Sequence, residues 1–374
     1  MNTSFISTYM NKRGVVGPWK IKPKPQKSFS QIIVIPSYAE SDFINKTLNT
    51  INNNDIDYLK STLVIIVINN STKSDDSIRI NNKQTLDKIR LEKFNFSFGI
   101  IDAFNKGFEI SEKYAGVGYA RKIGIDLALN YIESDNSLIF CTDADTLVNK
   151  DYIKIVVDYF KYKQCKAAVV NFCHLYSTNL LEQKAIIEYE NFLKRTAKNL
   201  RTAGSPYGYV AMGSTMICTA QAYCAIGGMS KRKATEDFYF LQELSKYSGI
   251  KRISQKLVYP SARRDYRVYL GTGFRMNQIL NGFKIDNLYY SEKSFTLLSS
   301  WLQLATNSSN VLLHDLVKKI NLIDNQLYVF LKNQGLEKIW NNLQKNAKST
   351  LHFRAQFHRW FDGLKTIRFL KYFT

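Results

Sequence analysis

The apolar residues fall into short unbroken runs, and stretches with helical spacing separate them. Ile32-Ile33-Val34-Ile35 reads as a first buried strand ended by Pro36, and Leu63-Val64-Ile65-Ile66-Val67-Ile68 as a second. Ser97 to Ile101 fits a third, and Ser137-Leu138-Ile139-Phe140-Cys141-Thr142 a fourth. Between them, Asp42 to Asn52 places Phe43, Ile44, Leu48 and Ile51 on one helical face, Lys83 to Arg90 forms a polar helix, and Tyr119 to Tyr131 offers Ile123, Ile125, Leu127, Ala128 and Leu129 for packing. Runs that are apolar at every position suit strands covered on both sides. The alternation predicts an α/β protein with a mainly parallel open sheet flanked by helices. Ligands of such sheets bind at the C-terminal strand ends, where Tyr38, Asn69 and Asp143 fall.

Four sections are expected: an extended lead-in over 1–30, with basic Lys22-Pro23-Lys24-Pro25-Gln26-Lys27; a regular α/β half over 31–150; a less regular half over 151–290; and a helical, basic C-terminal extension over 291–374. The less regular half holds a helix over Leu180 to Leu200 and a glycine-rich section from Gly204 to Gly228.

Composition narrows the function classes. With 374 residues and 45% hydrophobic content the chain can bury a sizeable core, and 22% charged residues with abundant Tyr and Phe exclude a disordered composition. A net charge of +21 favours an anionic partner such as a sugar nucleotide, a phosphorylated acceptor or an anionic membrane surface. Five cysteines without C-x-x-C spacing read as reduced thiols of a cytoplasmic protein. The first 27 residues show no signal-peptide core, and no apolar run approaches the 18 residues of a membrane span, so a soluble or membrane-peripheral protein is expected. Nucleic acid is not an expected partner, because helix-turn-helix, zinc-finger and RNP patterns are missing.

The chemistry gathers at Asp143-Ala144-Asp145, directly after the fourth strand. Two carboxylates at a strand end make a hard-oxygen site suited to Mg²⁺ or Mn²⁺. Further along, Gly227-Gly228-Met229 leads to Thr235-Glu236-Asp237; these acids read either as catalytic carboxylates or as first-turn acids complementing a helix dipole. Ser261-Ala262-Arg263-Arg264-Asp265-Tyr266-Arg267 with Gly271-Thr272-Gly273 is a basic, glycine-flanked loop, either a lid over phosphates or a surface loop in which Asp265 pairs the arginines.

Taken in order, these segments resemble family 2 glycosyltransferases with the GT-A fold, over roughly Gln31 to Gly273. Ile35-Pro36-Ser37-Tyr38-Ala39-Glu40 is similar to the family's opening strand and turn, and Val67-Ile68-Asn69-Asn70-Ser71-Thr72 to its second. Asn69 stands where the family usually has Asp, which leaves the identity of the base open. Gly116-Val117-Gly118-Tyr119-Ala120-Arg121-Lys122-Ile123-Gly124 looks like the segment preceding the family's metal motif, with Lys122 replacing a common Asn. The resemblance implies a donor site of Pro36, Tyr38, Glu40, Asn69, Asn70, Arg121, Asp143, Asp145, Arg263, Arg264 and Arg267 for a nucleotide diphosphate sugar. It implies Asp145 as the direct metal ligand, with Asp143 at the metal site on its bound water or on the ribose, Asp237 as the base taking the acceptor proton, and Glu236 shaping the site or touching the acceptor. It also makes 31–150 the nucleotide-sugar half and 151–290 the acceptor half. The expected activity is metal-dependent, inverting transfer of one sugar to a hydroxyl of a glycan or lipid-linked acceptor. A retaining enzyme with the same metal site and a non-catalytic basic binding protein are the alternatives.

Two C-terminal features stand apart. Gln356-Phe357-His358-Arg359-Trp360 matches the Gln-x-x-Arg-Trp signature of processive polysaccharide synthases but lies too far past Asp237, and is read as coincidence. Leu351 to Phe373 reads as an amphipathic basic helix that either lies on an anionic membrane or docks on the catalytic domain, with docking preferred.

Overall fold

A computed structural model describes residues 4–264 and 271–374. The apolar runs form the middle of a nine-stranded sheet: β1 (Ile21–Lys22), β2 (Gln31–Ser37), β3 (Thr62–Asn69), β4 (Ser97–Ala103), β5 (Leu138–Cys141), β6 (Leu147–Val148), β7 (Ala167–Phe172), β8 (Met216–Thr219) and β9 (Lys251–Tyr259). Their order is β1-β4-β3-β2-β5-β8-β7-β9-β6. β2, β3, β4, β5, β7 and β9 run one way, and β1, β6 and β8 oppose them. Every residue of β2 and β3 is buried, as their unbroken β-branched runs require of strands with helices on both faces.

The helix Ile44–Asn52 buries Ile44, Thr47, Leu48 and Ile51 against the sheet side, and Asp76–Leu91 buries Asn82, Thr85, Leu86 and Ile89. Helix Val117–Ala128 is buried over nearly its whole length, with Gly124 seated against Val34 of β2 and Val67 of β3. A residue without Cβ is what permits that approach.

Contacts divide the chain into two compact units: Met1–Ile187 with Ala211–Phe283, and Glu188–Val210 with Lys284–Thr374. The first holds the sheet. The second is helical and has its own core around Trp301, Trp340, Phe353, Phe357, Phe361 and Phe369. No described helix is long and apolar enough to cross a membrane.

Three expectations change. The lead-in is not extended throughout, because Ser4–Arg13 is a helix whose Ile6 and Tyr9 are buried, and Ile21–Lys22 pairs with β4. Pro36 does not end its strand: β2 continues to Ser37, with Pro36 opposite Val67 near the end of the ladder, where a missing N–H costs least. The segment 351–373 is two helices, Thr350–Trp360 and Gly363–Tyr372, because Asp362 between them accepts from the Lys365 amide and starts a new helix. Its apolar residues Phe353, Phe357, Phe361, Phe369 and Leu370 belong to the helical unit's own core.

Candidate active site

The parallel strands β3, β2 and β5 are neighbours, so their C-terminal ends bring three turns together. After β2, Ala39 takes a left-handed backbone (φ 56°) and delivers Glu40, whose carbonyl starts the next helix by accepting from Phe43 and Ile44. At the end of β3, Asn69 is buried and its side-chain oxygen has no hydrogen-bond partner among the described residues. Asn70 is committed to the turn: its amide donates to the Ser71 carbonyl, and its oxygen accepts from Asn82. Asn82 also donates to the Asn69 carbonyl and accepts from the Ala39 amide, so one fully buried side chain fixes the ends of both strands. Tyr38 stands half-buried beside them.

After β5, the Thr142 amide still donates to Val34 of β2, at 3.2 Å, and the Asp143 carbonyl accepts from Thr146. Thr47 donates to the Ala144 carbonyl at 2.8 Å and pins the middle of the triplet. The two flanking carboxylates therefore project from a held turn. Asp143 keeps 33% of its side chain accessible and Asp145 17%, enough for each to meet a ligand.

Arginines occupy both. Arg263 bridges two of the turns, with its Nε 2.9 Å from Asp145 and its terminal nitrogen donating to Glu40, while its guanidinium lies 4.4 Å from the Phe43 ring centre. Arg264 turns the other way, to Glu182 at 3.1 Å. The expected contact at Arg267 lies outside the described residues. Arg121, only 2% exposed, donates to Asp143 and to Glu236 Oε1 (2.5 Å). Gly116 and Gly118 let the backbone approach the acid segment: an added Cβ at Gly118 would lie 2.7 Å from the Glu236 Cβ, and one at Gly116 2.6 Å from Lys233.

Glu236 and Asp237 open the helix Glu236–Ser248, preceded by Thr235 in a left-handed conformation (φ 61°). Of the three non-glycine left-handed residues among those described, Ala39 and Thr235 each stand immediately before a site carboxylate, and the third, Gln164, ends a helix elsewhere. Burial pushes Glu236 up to about 7 against the pull of Arg121, and the Asp237 charge adds to the rise. Asp237 is half-buried; burial raises its pKa, Arg121 opposes this, and the Phe238 amide holds its Oδ1 at 2.7 Å. Asp143 acts on both acids. Asp143 and the acid pair thus surround one guanidinium, and Asp145 meets the other, on Arg263.

Sequence reasoning missed Asn82 and a second buried group: Tyr9, Lys122, Asp126 and Tyr223, joined by hydrogen bonds beneath the helix that carries Arg121. Lys122 and Asp126 sit four apart on a helix, which a sequence can show. Their tyrosine partners come from distant segments, which it cannot.

Residues 32–219, half of the chain, match the profile of glycosyl transferase family 2. The chain belongs to that family. The solved structures it is similar to include the S. aureus TarS 1–349 complex with UDP-GlcNAc, at 14% identity and TM-score 0.46, covering 88% of this chain and 91% of the other. The mannosyltransferase PcManGT from Pyrobaculum calidifontis, in complex with GDP-Man and Mn²⁺, is 13% identical with a TM-score of 0.42, over 94% and 92% of the two chains. A search of curated proteins finds no match. In this glycosyltransferase the family match stops at Thr219, at the end of β8, before Glu236, Asp237 and Arg263.

Proposed function

We propose that this glycosyltransferase moves a single sugar from a nucleoside-diphosphate sugar to a hydroxyl of a glycan or lipid-linked acceptor, with inversion. One observation carries the reading: Arg121 holds Asp143 of the strand-end triplet and Glu236 of the acid pair at once. That contact ties Asp143 of the donor side to the segment that carries the candidate base, Asp237. In this reading Asn69, with its unpartnered oxygen, and Tyr38 receive the base, and Glu40 accepts from ribose hydroxyls.

Asp145 and Asp143 supply only hard oxygen donors, which suits Mg²⁺ or Mn²⁺. No described cluster of three or more His, Cys, Asp or Glu residues adds to them. The remaining ligands of such an ion would come from diphosphate and water, the usual arrangement for Mg²⁺. The ion supplies charge neutralisation to the departing diphosphate. Arg263, between Glu40 and Asp145, brings a second cation to the same place, and its planar fork suits phosphate oxygens.

Asp237 takes the acceptor proton. A carboxylate raised towards neutrality by burial is a better base than one in water, and a partly accessible side chain can reach an incoming hydroxyl. Glu236 stays with Arg121 and sets the position of its neighbour.

Isothermal titration with UDP and GDP, with and without Mn²⁺, tests the donor half of this reading. Wild type binds one of them in a Mn²⁺-dependent manner, and Asp145→Asn weakens that binding by about tenfold or more, the scale of a lost ionic contact. Equal binding with and without Mn²⁺, undiminished in Asp145→Asn, overturns it.

A further inference from the structure

We infer that the N-terminal arm, residues 4–22, positions the Glu236–Asp237 acid pair, with Tyr9 as the positioning residue. This rests on the reading of Asp237 as base. Tyr9 is buried in the helix Ser4–Arg13. Its hydroxyl donates to Asp126 Oδ1 at 2.8 Å and accepts from Lys122 Nζ at 2.7 Å. Tyr223 donates to the same Asp126 oxygen at 2.7 Å, Lys122 pairs with the other at 2.8 Å, and the Val15 amide reaches that second oxygen at 2.8 Å. A buried charge pair is costly unless its remaining hydrogen-bonding capacity is filled, and here the arm fills it. Lys122 and Asp126 stand on the helix Val117–Ala128 that carries Arg121.

The same hydroxyl closes on the turn that opens the acid segment. Gly228 has φ 75°, and an added Cβ there would lie 2.0 Å from the Tyr9 oxygen; one at Gly227 would lie 2.2 Å from the Arg13 guanidinium. Further along the arm, Trp19 donates to the Phe108 carbonyl at 2.7 Å and meets Tyr119 edge-on. Lys231 lies over the Tyr119 and Tyr114 rings, at 5.5 and 5.3 Å from their centres. Ile21 and Lys22 anchor the far end by pairing with Ile101 and Ile100 of β4.

The stretch from Gly227 to Thr235 is therefore backed by the arm at its start and held by Tyr119 in its middle, and both supports sit on or against the Arg121 helix. Tyr9 sets how far Glu236 and Asp237 stand from Arg121. Its effect belongs to turnover rather than to donor affinity, because Tyr9 and Arg13 back the turn that leads to the acid pair, whereas the strand-end donor residues are set by β2, β3 and β5.

Hydrogen exchange and kinetics on Tyr9→Phe and Tyr9→Ala, in the full chain, test this. In Tyr9→Ala, amides of residues 227–240 exchange about tenfold faster while those of β2 and β3 stay protected. Transfer kcat falls by about tenfold with donor KM within about twofold. Tyr9→Phe keeps the ring against Tyr223, loses the hydroxyl and shows the same split to a smaller degree. Unchanged exchange over 227–240 in both variants overturns the inference. So does faster exchange throughout the sheet with a matching rise in KM, since that is general loosening. Faster exchange over 227–240 with kcat unchanged leaves the tether standing and instead contradicts Asp237 as base.

Discussion

Arg121 gathers three acids: it bonds Asp143 and Glu236, and its charge opposes the rise that burial imposes on Glu236 and Asp237. Glu236 is 4% exposed, so its charge depends on that guanidinium for compensation. Replacing Arg121 with Leu leaves Glu236 and Asp143 facing each other without a cation. Loss of one partner from a buried ion pair costs about 3–5 kcal/mol, and urea denaturation of Arg121→Leu should show a loss of that size. The acid pair also predicts a pH profile. Burial raises both groups, Glu236 to about 7, and two neighbouring acids titrate as a unit. A protonated base is idle, so transfer by the proposed base Asp237 should rise with pH above the ordinary carboxylate range; initial rates across pH 4 to 9 check it. The stability effect has the opposite sign. Groups that hold protons more tightly folded than unfolded stabilise most in acid, and that contribution is lost as pH rises towards 7.

At the scale of elements, the helix Val117–Ala128 organises the site, because one face grips the sheet and its ends grip the acid segment and the arm. An added Cβ at Gly124 would lie 2.5 Å from the Val34 side chain, so Gly124→Ala forces the helix off β2. Overpacking of this kind costs about 1–3 kcal/mol, to be read from the urea midpoint. The same helix shows what a sequence reveals. Its apolar spacing and the unbroken runs of β2, β3 and β5 were legible, because burial on both faces leaves a one-dimensional signature. So was the convergence of Tyr38, Asn69 and Asp143, since parallel strands share an end. The partners of Arg121 were not. Glu236 lies 115 residues away, and nothing in either segment marks the other. The glycines at 116 and 118 were visible, but a glycine does not say whether its neighbour is a ligand or another stretch of chain. The arm's role was hidden for the same reason: Tyr9 and Asp126 are polar residues whose burial appears only when three segments meet.

For the molecule as a whole, the helical unit has a core of its own. Phe357 is fully buried there, edge-on to Trp301, whereas Leu351 is 76% exposed. Phe357→Ala should cost about 3–5 kcal/mol in urea denaturation, and Leu351→Ser no more than about 0.5 kcal/mol. A basic aromatic helix pattern by itself did not show that the segment is two helices; Asp362 caps the second, and Phe361 between them is fully buried. The net charge of +21 agrees with a phosphate-rich donor. The proposed reaction needs Asp145 and Asp237 to serve one displacement. The most direct test is release of nucleoside diphosphate from a panel of nucleotide sugars, with acceptor present, by wild type and by Asp237→Asn. Wild type turns over one donor in a metal-dependent manner, and Asp237→Asn binds that donor normally but loses about 10²–10⁴-fold in rate, the range for a missing general base. Turnover by Asp237→Asn close to wild type would contradict the account.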